Sequence, residues 1–184
     1  EFVNNNYIVF CTAKGMVKKT EVEAFSRPRS NGINAITINE GDMLLEAKLT
    51  DGNRELLLAN RNGRAIRFPE STVRPMGRTA AGVRGIRLDD DQDAVVGMVS
   101  LDPTDPSFTI LTIAEKGMGK RSEFSEYRLT NRGGKGVITM LVNEKTGPLV
   151  AIKAVLPSDE LMITNRSGIV IRIPVSDIRV MGRA

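Results

Sequence analysis

The feature that most constrains this chain is a repeat. Four short apolar runs each lead into a glycine turn: Tyr7-Ile8-Val9-Phe10 to Gly15, Leu56-Leu57-Leu58 to Gly63, Ile110-Leu111-Thr112-Ile113 to Gly117, and Leu161-Met162-Ile163 to Gly168. The glycines stand 48, 54 and 51 residues apart. A period of about 50 residues marks stacked or radial units, each too small to bury an apolar face alone. Other positions keep the same phase. Counting from the turn glycine, position +4 is basic (Lys19, Arg67, Arg121, Arg172), position +10 is large and apolar or aromatic (Phe25, Val73, Tyr127, Ile178), and position +11 is Arg74, Arg128 and Arg179, with Ser26 and then Arg27 in the first unit. A further apolar stretch follows in three units: Ala35-Ile36-Thr37-Ile38, Val83-Arg84-Gly85-Ile86 and Val137-Ile138-Thr139-Met140. The fourth unit stops at Ala184 before its second half, as a longer array cut short would.

Each unit reads as β. β-Branched runs alternate with turn signals such as Asn62-Gly63, Lys116-Gly117 and Ser167-Gly168, and no stretch holds an apolar period of about 3.6 residues. Four short strands per unit suit propeller blades, with a β-solenoid or a sandwich of repeated hairpins as alternatives. The expected architecture is all-β, a partial array of four-stranded blades in one domain over 1–184, with units at about 1–53, 54–107, 108–158 and a truncated 159–184.

Composition removes several functions. With no His, His-based acid–base chemistry, Ser–His and Cys–His pairs and His metal sites are excluded. The single Cys11 permits no internal disulfide and no Cys-rich zinc site, and reads as a small core residue. Trp is absent and aromatics are 4%, too few for a single-strand stacking platform. The opening residues lack the basic start and apolar core of a secretory leader, and no apolar run reaches the roughly 20 residues of a membrane span. A cytoplasmic location and no membrane partner are expected.

The net charge is only +4, but it is unevenly distributed. From each turn glycine through the following stretch the four arms together carry +12, leaving −8 elsewhere. Cations at one phase in every unit form a belt when the units surround an axis. Many Arg and few aromatics suit a duplex phosphate backbone rather than bases. The plainer alternative is that these charges keep β edges soluble. Candidate DNA-binding residues are Lys18, Lys19, Arg64, Arg67, Arg74, Arg78, Arg84, Lys120, Arg121, Arg128, Arg132, Lys135, Arg172 and Arg179. Arg67 and Arg172 alternate with Ile66/Phe68 and Ile171/Ile173, which predicts that the +4 set is the best exposed.

Two local motifs do not hold. Gly117-Met118-Gly119-Lys120-Arg121-Ser122 has Ala114 and Arg121 where a phosphate loop needs Gly and Ser or Thr. The run Asp89-Asp90-Asp91-Gln92-Asp93 has Ala94 and Ser100 where a calcium loop needs Gly and Glu. No catalytic, metal or cofactor site is expected in this segment.

Several stretches resemble one family. Val73-Arg74-Pro75-Met76-Gly77-Arg78 followed by Thr79-Ala80-Ala81-Gly82-Val83-Arg84-Gly85-Ile86-Arg87-Leu88 is similar to a repeat in the C-terminal domain of the bacterial DNA gyrase A subunit. So are Gly15-Met16-Val17-Lys18-Lys19-Thr20, Gly117-Met118-Gly119-Lys120-Arg121 with Lys135-Gly136-Val137-Ile138, and Ser176-Asp177-Ile178-Arg179-Val180-Met181-Gly182-Arg183. The resemblance implies a β-pinwheel, a propeller-like disc whose blades exchange strands and whose basic outer edge wraps duplex DNA. It further implies two protein partners, the ATPase B subunit plus the rest of the A subunit, in a type IIA topoisomerase (an isomerase) that supercoils DNA negatively. The family's diagnostic box, a Gln and basic residues leading into Gly-Gly-basic-Gly, is matched only in its last five places by Thr130-Asn131-Arg132-Gly133-Gly134-Lys135-Gly136, in the third unit. That leaves one close alternative, the C-terminal domain of the topoisomerase IV A subunit; a propeller-like protein-interaction scaffold is the reading from another class. Tyr7 and Tyr127 fall at repeat strand positions and read as packing residues, the class's catalytic tyrosine lying in another part of the enzyme.

Overall fold

The computed structural model describes residues 5–183. Residues 1–4, read above as lacking a leader, and Ala184, where the fourth unit breaks off, lie outside the described residues.

The described residues form thirteen strands and four single 3-10 turns. Unit one holds β1 (Tyr7–Thr12), β2 (Met16–Glu21) and β3 (Leu44–Thr50). Unit two holds β4 (Glu55–Asn60), β5 (Arg64–Pro69), β6 (Val83–Arg84) and β7 (Val95–Leu101). Unit three holds β8 (Thr109–Ala114), β9 (Gly119–Glu123), β10 (Val137–Ile138) and β11 (Leu149–Val155), and unit four β12 (Glu160–Thr164) and β13 (Val170–Pro174). The turn glycines sit in the hairpins β1–β2, β4–β5, β8–β9 and β12–β13 with φ of +89, +86, +88 and +84°, a region open to glycine at little cost. Residue −3 closes the turn with its carbonyl, and Asn60 and Asn165 add a side-chain oxygen that accepts the N–H at +1.

The sheets are not built from consecutive strands. Their orders are β3-β1-β2-β6, β10-β5-β4-β7, β11-β8-β9 and β12-β13. Thus β6 of unit two completes the sheet of unit one, and β10 of unit three completes that of unit two. The pairing keeps phase: +1 and +2 of the earlier unit face +21 and +20 of the later one, as Met16↔Arg84 and Val17↔Val83, then Arg64↔Ile138 and Ala65↔Val137. The glycine carbonyl then accepts two N–H groups, from Gly85 and Ile86 at Gly15 and from Thr139 and Met140 at Gly63. This exchange makes the architecture a β-pinwheel rather than a plain propeller. The expected apolar strands over 83–86 and 137–140 are real but only two residues long. The stretch 35–38 is not a strand, because among the described residues no earlier unit offers it an edge.

The long strands β3, β7 and β11 lie side by side at the centre, and the Met98 N–H donates to Glu46 across this hub at 2.8 Å. The core lies between blades. Val9, Cys11 and Val17 pack on Leu56, Leu58, Ile66 and Phe68, and Leu57, Ala59 and Ala65 pack on Ile110, Tyr127 and Leu149. Cys11 is fully buried and its thiol is pushed far up by that burial. Tyr127 is likewise buried, its hydroxyl 2.5 Å from that of Thr139.

Candidate nucleic-acid interface

Stacking covers both faces of a blade, and this decides where each cation goes. Strand alternation exposes one side only when the sheet has a solvent face. Here Ile66 and Phe68 face unit one while Ala65 and Arg67 face unit three. The expectation that position +4 is the exposed set is therefore overturned: Lys19 and Arg121 are 4% and 7% exposed and Arg67 is half-buried, leaving only Arg172 in solvent.

These buried cations hold consecutive blades together. Lys19 donates to the Glu70 carbonyl at 3.0 Å, lies 3.7 Å from the Glu70 carboxylate and sits over the Tyr7 ring. Arg67 donates to Glu55 at 2.6 Å and to the Tyr127 carbonyl at 2.9 Å, stacked 3.9 Å over Phe124. Arg121 donates to the Ile178 carbonyl at 2.9 Å. The backbone repeats the same link. The carbonyl at +4 accepts the N–H at +13 of the next unit (Met76, Thr130, Met181), beside parallel bridges Lys19↔Pro75, Arg67↔Leu129 and Arg121↔Val180. Arg172, without such a neighbour among the described residues, is exposed and pairs with Glu160 of its own hairpin.

Other candidates are also engaged internally. Lys18 is fully buried and donates to the Ala35 and Arg78 carbonyls, both at 2.5 Å. Burial, and then the Arg78 guanidinium, lower its ammonium below the ordinary lysine range. Lys120 reaches the Gly182 carbonyl, Arg64 that of Gly136, and Arg132 those of Thr72 and Arg84. Lys135 is exposed but pairs with Asp89 at 2.6 Å, holding that carboxyl below its usual range.

Four candidates remain exposed with no side-chain hydrogen bond or ion pair among the described residues: Arg74, Arg84, Arg128 and Arg179. Three of these are position +11. Each follows the 3-10 turn after the second strand of its hairpin, Glu70–Thr72, Phe124–Glu126 or Val175–Asp177. Its predecessor at +10 points inward (Val73 and Tyr127 are fully buried), while its successor bridges the second hairpin strand of the preceding blade. The backbone is thus pinned on both sides, and the side chain is left in solvent. Arg84 lies on the exchanged strand β6. Arg29 and Arg87, also exposed, were not among the expected residues; neither stands at a phase occupied by Arg in the other units, so the repeat carries no signal for them.

Blades of about 50 residues around a hub, with strands exchanged between neighbours, define a β-pinwheel. The family model described as "DNA gyrase C-terminal domain, beta-propeller" matches residues 6–51, 54–102, 109–155 and 159–184. The chain belongs to that family. It is 44% identical over 179 residues to the DNA gyrase A subunit of Staphylococcus epidermidis, and 42% over 180 to that of Staphylococcus aureus. These matches cover 97% and 98% of this chain but 20% of each relative, so the chain spans about a fifth of the curated relatives it matches. Among solved structures, a C-terminal domain of DNA topoisomerase IV superposes with a TM-score of 0.92 at 29% identity, over all of this chain and 56% of that one. A DNA gyrase A C-terminal domain superposes with 0.86 at 24% identity, over all of this chain and 60% of that one. The higher-identity relatives favour the gyrase A subunit over topoisomerase IV.

Proposed function

We propose that this segment binds and wraps duplex DNA as part of the C-terminal module of a gyrase A subunit. In the whole enzyme it presents a DNA segment for strand passage and so supports ATP-dependent negative supercoiling, working with the ATPase B subunit plus the remainder of its own subunit. The segment carries no catalytic residue and needs no cofactor; it acts in the cytoplasm as part of one β-pinwheel, with units at about 1–53, 54–107, 108–158 and 159–184. The observation that carries this reading is Arg74, Arg128 and Arg179, exposed and unpaired at one phase of three successive blades. Arg at regular intervals along a curved edge matches the regular phosphates of a bent duplex, an interaction that is blind to sequence and sensitive to salt. A protein-interaction scaffold has no need of that periodicity.

The test is anisotropy titration of a labelled duplex of random sequence over a salt series. Binding with log K falling against log salt by about 0.9 per phosphate contact, and equal affinity for unrelated sequences, supports the proposal. Absence of binding at low salt, or strong preference for one sequence, refutes it.

A further inference from the structure

A cavity of about 490 Å³ opens between blades one and two, lined by Arg29, Asn31, Gly32, Ile33, Asn34, Arg78 and Thr79. Its walls offer guanidinium, amide and hydroxyl groups and no carboxylate. Arg78 gives one N–H to the Asn34 carbonyl at 2.8 Å, and the ammonium of Lys18 lies directly beneath, bound to the Arg78 and Ala35 carbonyls. The ion pairs among the described residues leave Lys18, Arg29 and Arg78 out. Two cations at close quarters with no counter-charge oppose folding unless an anion joins them.

The repeat supplies an internal comparison. Lys18 and Arg78 stand at +3 and at +15 of the next unit, and the same couplet recurs as Lys120 and Arg183. There the guanidinium is engaged by the carbonyls of Glu126 and Ile138, and burial and then the Arg183 guanidinium lower the Lys120 ammonium, with the Glu126 carboxylate opposing them. At the junction between blades two and three position +3 is Ile66, packed near Gly134. The first junction sets its couplet beside a concave, carboxylate-free wall, with no acidic side chain acting on Lys18 as Glu126 acts on Lys120.

We infer that this cavity seats one phosphate of the bound duplex, held by Arg29 and Arg78 with the Asn31, Asn34 and Thr79 groups, Lys18 acting beneath as a positioning residue. The inference rests on the proposed DNA binding and adds to it an anchor off the +11 belt. An exposed arginine at the rim and a half-buried one at the base grip a phosphodiester from two directions, fixing where along the edge the duplex enters the first two blades.

The experiment compares wild type, Arg29→Gln and Arg29→Gln/Arg78→Gln in duplex binding over a salt series, with Arg61→Gln, exposed and outside the cavity, as control. Circular dichroism checks folding, and the Arg29→Gln variant, which removes no hydrogen bond seen in the structure, guards against a misfolded double variant. The expected result is weaker binding and a salt slope shallower by about 0.9 in both variants, with Arg61→Gln unchanged. Duplex binding by wild type with identical affinity and slope in both variants overturns the inference and leaves the proposed function standing. If wild type does not bind duplex, the proposed function fails, and inorganic phosphate titrated into labelled protein decides the cavity. Saturable amide shifts at Gly32, Asn34 and Thr79, abolished in the double variant, reassign the seat to a free phosphate and overturn the duplex anchor. No shifts overturn the seat altogether.

Discussion

Arg67→Met separates a cation that holds blades from one that holds DNA. In the native junction the Arg67 guanidinium meets Glu55 at 2.6 Å, with side-chain exposures of only 15% and 10%. It also satisfies the Tyr127 carbonyl and covers the Phe124 ring. Removing the cation leaves Glu55, itself 8% exposed, without its partner. Breaking a buried pair from one side costs about 3–5 kcal/mol; the residual exposure places this junction near the lower end, about 3 kcal/mol. With a urea slope of about 2–3 kcal/mol/M the midpoint falls by about 1 M or more. Arg172→Met changes the same repeat position where no further blade follows among the described residues, and shifts stability by about 0.5 kcal/mol or less. Adding Glu55→Gln to Arg67→Met recovers about 1 kcal/mol or more by removing the stranded charge. Urea titrations followed by far-UV circular dichroism read all three. Equal midpoints for Arg67→Met and Arg172→Met would refute the assignment of position +4 to blade cohesion.

Two further outcomes follow from the same geometry. Gly63→Ala is strongly destabilising because a Cβ at its positive φ collides with the Met140 carbonyl, whereas Gly168→Ala, at a similar φ with nothing within 4 Å, costs only the backbone strain of about 1–2 kcal/mol; thermal melts rank the pair. Lys18 is held below its ordinary value of 10.5 in the folded state, so the unfolded chain binds more protons just below that pH. Its contribution improves as pH rises through the folded value toward 10.5, and the stability difference between wild type and Lys18→Met should shift in favour of wild type over that range; a flat difference contradicts the assignment.

The repeat makes the architecture legible because turn glycines and apolar runs are local signals that survive in every unit. The exchanged strands are visible only as apolar stretches: nothing in Val83-Arg84 or Val137-Ile138 says that the partner lies one unit back, since that depends on how the blades stack. The same stacking hides the true exposure of position +4. Alternation around Arg67 does define two faces, but burial of both faces is a tertiary fact, and it turns Lys19, Arg67 and Arg121 into ties between blades. Position +11 is legible as a repeat of Arg; its exposure follows from the inward +10 residue and the bridge at +12, which the sequence does not display. Arg29 stays hidden because the cavity it lines is shared by two units.

The most direct test of the account is the triple substitution Arg74→Gln/Arg128→Gln/Arg179→Gln, measured against wild type for duplex binding over a salt series. The expected variant keeps an unchanged urea midpoint, binds clearly more weakly, and shows a salt slope shallower by about 0.9 for each phosphate no longer held. A folded triple variant that binds duplex with wild-type affinity and slope would contradict the assignment of the outer edge as the DNA surface.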